Sequence, residues 1–197
     1  MSWYELLLFL HVATAVIWVG GALMLLVLGY RYSKSDDPAR MAAFGHDIDW
    51  VAKRVFIPSS LIAFVSGVWM VVDSDFWGFG DDWIVIGLLL YAVTFLAGLL
   101  FLGPESARVG QLADEGSPQA PPRVVRLVFL ARLDLVLLFL IIYVMTVKPG
   151  FDSEQMLVGV LGALLGAGLI WWRYQAALTQ VRTAAGAPSP PADAEAP

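Results

Sequence analysis

Five blocks of this chain are long and apolar enough to cross a bilayer, which leaves it little choice of fold. A spanning helix needs about 20 mostly apolar residues. The blocks run at roughly residues 3–30, 55–72, 83–103, 124–147 and 156–174. In lipid every backbone N–H and C=O must find its partner within the chain, so blocks like these close into helices. Only 15% of the 197 residues are charged, against about a quarter in a soluble domain, and the mean hydropathy is +0.73. The expected fold is all-α: a multi-pass transmembrane helix bundle with five spans. Residues 1–182 form the bundle in this reading, and the Ala- and Pro-rich stretch 183–197 reads as a disordered tail. The first block lacks a basic leader and is longer than a secretion signal, so it reads as a retained helix.

The joints between blocks carry turn chemistry. Asp37 and Pro38 look like the N-cap and first residue of a helix. Gly116-Ser117-Pro118, Pro121-Pro122 and Pro149-Gly150 break the chain elsewhere. Pro58 frees a backbone carbonyl inside the second block, which Ser59, Ser60 or a neighbour can satisfy. The basic residues are one-sided. Arg31, Lys34, Arg40, Lys53, Arg54, Arg108, Arg123, Arg126, Arg173 and Arg182 fall on one side of the bundle, and Lys148 falls on the other. The positive-inside rule then puts the N-terminus outside and the C-terminus in the cytoplasm. Trp3, Trp69, Trp77 and Trp83 would mark the outer interface, and Trp50, Trp171 and Trp172 the inner one.

Composition closes off several kinds of chemistry. With no cysteine there are no disulfides, thiolate metal sites or covalent haem links. Two histidines are few for a zinc enzyme, which takes about three protein ligands. A net charge of −5 gives no basic footprint for nucleic acid.

The remaining polar residues at membrane depth are the candidates. His11 shares a helix face with Thr14, Ala15, Trp18, Gly21 and Ala22. An imidazole there either bonds across to a neighbouring helix or holds a flat cofactor beside Trp18. His46 sits in His46-Asp47-Ile48-Asp49-Trp50, which reads as a solvated interfacial helix. It is about 30 Å of helix away from His11, so the two cannot share one haem. Arg132 and Asp134 are drawn into the fourth span. At i and i+2 they do not pair; Arg132 can snorkel to headgroups, and Asp134 is expected to face another helix. Gly159, Gly162 and Gly166 form a small-residue face on the fifth span, suited to packing within the bundle or to a homo-oligomer or membrane partner.

Three stretches resemble a known family. They are Leu10-His11-Val12 with Trp18-Val19-Gly20-Gly21; Asp49-Trp50-Val51 with Arg54-Val55-Phe56-Ile57-Pro58; and Arg132-x-Asp134-Leu135 ending in Met145-Thr146-Val147-Lys148-Pro149-Gly150. Together they resemble the bacterial integral-membrane family called domain of unknown function 2269, over about residues 3–175. More distantly the first stretch is similar to copper-resistance D-type membrane proteins and to the haem-dependent membrane protoporphyrinogen oxidase. The resemblance implies a multi-pass inner-membrane protein without an assigned activity. The wider likeness implies haem or copper, matched here only at His11. The oxidase's tyrosine–histidine motif is absent, since Tyr32 is followed by Ser33.

Three classes of function stay open. One is a binding or interaction module acting in the outer half of the bundle. The second is a redox protein holding haem b through His11, with Met70 or Met145 as a second ligand. The third is a transporter for a small solute or ion, for which His11 and Asp134 are sparse lining.

Overall fold

The structure, a computed structural model, describes residues 2–32 and 38–186. Among them every regular element is a helix. Seven α-helices follow one another: α1 (Trp3–Tyr32), α2 (Pro38–Val51), α3 (Ile57–Val72), α4 (Asp82–Ala97), α5 (Gly103–Asp114), α6 (Ala120–Val147) and α7 (Glu154–Gly186). Two π-helical turns, Ala52–Phe56 and Gly98–Leu102, join α2 to α3 and α4 to α5 without a break. Five helical units are therefore long and apolar enough to span: Trp3–Tyr32, Ala43–Val72, Asp82–Asp114, Ala120–Val147 and Glu154–Ala177. The fifth unit continues through residues 183–186, four residues into the stretch expected to be a tail. Asp37, the expected N-cap, lies outside the described residues, whereas Pro38 does open α2.

The two π turns have the same local cause. Ile57 N–H reaches back to the carbonyl of Ala52, and Gly103 N–H to that of Gly98. In each case the next residue is a proline, Pro58 or Pro104, which has no N–H and whose ring crowds the preceding turn of an α-helix. A wider turn relieves that crowding. Two residues after each proline a serine hydroxyl donates back: Ser60 Oγ to Ile57 O at 3.0 Å and Ser106 Oγ to Gly103 O at 2.8 Å. The second and third spans thus share one device, a proline-marked bend inside a continuous helix.

Close helix contacts are made where glycine meets a large side chain. The Phe56 ring fills the space above Gly21, the Phe44 ring that above Gly29, and the Met145 methyl that above Gly87. Between α2 and α5 the contact is backbone on backbone, because a Cβ at Gly45 would stand 2.8 Å from Gly110 N. The best-buried cluster also lies at this end: Val109, Leu112, Ala113, Ala120, Val124 and Leu127. Beside it Arg123 Nη1 donates to Glu105 Oε2 at 3.0 Å, with Glu105 buried. Water drives burial there, whereas at membrane depth large apolar side chains such as Leu89, Leu100 and Leu165 stay exposed to face lipid. The helix ends near Arg31, Arg54, Arg108 and Arg126 are called the basic end below.

At the opposite end α6 closes with Lys148 in the left-handed region at φ 53°. For a non-glycine residue that conformation costs about 1–2 kcal/mol. Lys148 Nζ lies 4.1 Å from the Trp77 ring centroid and 4.9 Å from that of Trp83, an attraction of similar size that offsets it. Asp82 Oδ2 accepts from Phe151 N–H at 2.9 Å, tying the α6–α7 joint to the start of α4.

Candidate functional site

A half-open cavity of about 420 Å³ lies between the helices, in the half toward the basic end. Its position follows from the two bends. Ala52, Lys53 and Phe56 of the first π turn stand on its wall, with Gly98, Leu99 and Leu102 of the second. The two proline-linked serines, Ser60 and Ser106, line it as well and are buried. From α1 come Trp18, Ala22 and Gly29, and from α6 Leu127, Ala131 and Asp134, positions that share one helical stripe. Aromatic rings surround the cavity on several sides. Trp18 meets Tyr91 edge-on at 5.9 Å, and Tyr91 stacks on Phe64 at 4.9 Å and on Phe95 at 5.7 Å.

Charge in this cavity is uneven. Lys53 Nζ donates to Asp49 Oδ2 at 2.7 Å, so that pair is satisfied within α2 and its π turn. Asp134 has no such partner. Its Oδ1 is fully covered yet accepts no hydrogen bond from the described residues. Trp83 Nε1 and Tyr91 OH are in the same position, but of the three only Asp134 lines the cavity. A buried polar group without a partner loses hydration and gains nothing in return, the more so in a site walled by apolar groups.

His11 is elsewhere. Its Nδ1 donates to the backbone carbonyl of Ala63 at 2.7 Å, and its ring packs where a Cβ of Gly67 would be, 3.0 Å away. Because a carbonyl can only accept, Nδ1 carries the hydrogen of this bond, which in a neutral imidazole leaves the lone pair on Nε2. His11 and Trp18 do not form one site: Trp18 is on the cavity wall and His11 is not among the lining residues. Of the two methionines, Met145 is lodged against Gly87 of α4, while Met70 is half-buried at i+3 from Gly67 on the same face of α3. Arg132 is half-buried and has no ion pair among the described residues. His46 Nε2 and Asp114 Oδ2 stand 3.0 Å apart on the exposed flank of α2 and α5.

The glycine face of the fifth span divides. Gly159 receives the Tyr143 ring, 2.7 Å from its Cβ position, and Gly166 faces Val136, so both pack on α6. Gly162 has open space beside it. The three glycines are therefore not one free face for a second molecule. All three share one stripe of α7, on which the chain's own α6 packs at Gly159 and Gly166.

Sequence reasoning singled out Asp134 and Pro58 but missed Pro104, Ser106 and the ring of Phe44, Phe56 and Phe95. The repeated x-Pro-x-Ser pattern at Ile57-Pro58-Ser59-Ser60 and Gly103-Pro104-Glu105-Ser106 was the signal that could have found them.

Comparison with known proteins is narrow. No curated protein matches this sequence, and no solved structure matches it. The profile of a family described as predicted integral membrane protein, DUF2269, matches residues 5–149. That range takes in α1 through α6, the cavity and both prolines, together with the Lys148 cap. On this match the chain belongs to the DUF2269 family of predicted integral membrane proteins.

Proposed function

We propose that this protein is a binding module of the bacterial inner membrane, holding a small molecule in the cavity between the two π turns. One observation carries the reading. A space of about 420 Å³ is walled mainly by apolar and aromatic groups, and Asp134 on that wall has an oxygen, Oδ1, that accepts no hydrogen bond from the described residues. That is the usual composition of a ligand pocket: apolar walls for affinity and a few polar groups for orientation. The two bends support the same reading, since residues of both π turns stand on the cavity wall. Trp18 stands on the cavity wall with Tyr91 packed edge-on against it, aromatic surface that suits a small apolar ligand.

The test is native mass spectrometry of the full chain extracted gently from membranes. Wild type should retain a small-molecule adduct, and Ala131→Trp, which fills the cavity from α6, should lose it while keeping its helical circular dichroism. An adduct equally present in both proteins, or absent from wild type, overturns the reading.

A second reading is a b-type haem held on His11. The bond from Nδ1 to Ala63 O favours it, because that arrangement fixes the tautomer and presents Nε2 as a ligand. Met70 is the sulfur donor on the matching face. Haem would supply redox or gas-binding chemistry there, while Ala63 and Gly67 orient the ring that holds it. The visible absorbance of the purified protein decides it.

A further inference from the structure

Resting on the cavity reading, we infer that the ligand is an amphipathic organic cation, an apolar body with a protonated amine that pairs with Asp134.

The ionic inventory of the cavity leads there. Three charged side chains line it: Asp49, Lys53 and Asp134. Asp49 and Lys53 neutralise each other at 2.7 Å. Asp134 is left with a covered oxygen that nothing in the described chain satisfies. Arg132, two residues away, points to another side of α6 and does not reach it. Among the described residues on the wall, Asp134 is thus the charged side chain without a partner, half-buried and facing the cavity, and an occupant that pairs with it brings a donor. A charged donor gains most, because charge-assisted bonds are about twice as strong as neutral ones and the surroundings are poor in water. The hydroxyls of Ser60 and Ser106 already donate to backbone carbonyls of their own helices, so they offer no competing donor to the ligand.

The walls fix the rest of the occupant. Phe44, Phe56 and Phe95 present aromatic surface that suits an apolar body and attracts a cation through ring faces. A bare metal ion would leave those walls unfilled. It would also lack ligands, since the described residues contain no group of three His, Cys, Asp or Glu side chains. A cation with an apolar body satisfies both the carboxylate and the walls.

The experiment is calorimetric titration of the full chain in lipid nanodiscs, with empty discs as the partition control. The probes are 4-phenylbutylamine and the neutral 4-phenylbutan-1-ol, alike in shape and differing in charge. Wild type should bind the amine about tenfold or more tightly than the alcohol. Asp134→Asn, which keeps the shape, should abolish that preference. Equal affinities in wild type, or an amine preference that survives in Asp134→Asn, overturn the inference. The cavity reading is judged separately, by whether the adduct is lost in Ala131→Trp. A lost adduct with no amine preference thus removes the cation and keeps the pocket.

Discussion

His11 shows how far a single residue can be read. In the sequence it is an imidazole at membrane depth on a face of small residues, open to either a packing role or a ligand role. The structure adds the bond to Ala63 O and the contact with Gly67, and both readings now make separable predictions. On either one, His11→Ala removes an interhelical hydrogen bond and should cost about 1 kcal/mol of stability, read as a lower melting temperature in detergent. On the haem reading, protein from haem-supplemented cells also shows a Soret band that His11→Ala loses. A wild-type preparation without that band assigns the ring to packing alone. Met145 looked like a ligand in the sequence because a thioether near a helix end is chemically suited to iron. Its methyl fills the space above Gly87, a pairing between distant residues that no local pattern announces. Asp134 was legible as a residue that must face protein. What it faces was not, because the rest of the cavity is built from α1 to α5 and both π turns.

At the scale of elements, the five spans were legible because bilayer thickness sets a length that composition alone can meet. Their ends were not. The second and third spans continue past the apolar run into α2 and α5, through prolines that ordinarily end a helix. The π turns absorb those prolines, and hydrogen-bond register is not written in hydropathy. The α2–α5 contact that results is unusually intolerant. Gly45→Ala would place a Cβ 2.8 Å from Gly110 N, against backbone that cannot rotate away. It should destabilise the protein by about 1–3 kcal/mol. Gly20→Ala, with nothing within 4 Å of the new carbon, should be neutral or slightly stabilising, since alanine is the better helix former. Thermal unfolding of the two variants in the same detergent checks the contrast, and equal melting temperatures would remove the claim that this contact is rigid.

For the whole molecule, the distribution of positive charge was the most legible property. The basic end carries Arg31, Lys53, Arg54, Arg108, Arg123 and Arg126, and Lys148 stands at the other end among Trp77 and Trp83. The proposed orientation, basic end in the cytoplasm, follows from the positive-inside rule. Since the chain has no cysteine, Asp75→Cys and Gln119→Cys each create one thiol on an exposed loop. A membrane-impermeant maleimide applied to spheroplasts should label the first and spare the second. The reverse pattern would turn the molecule over.

The packing of α7 has a consequence for how the protein is made. It lies against α6 through Gly159 and Gly166, and no residue of α7 lines the cavity. Everything the pocket needs is in place once Asp134 has been synthesised and α6 has inserted. A nascent chain can therefore assemble the cavity, and with it the binding site proposed above, before α7 has left the ribosome, and α7 then docks onto helices already packed together.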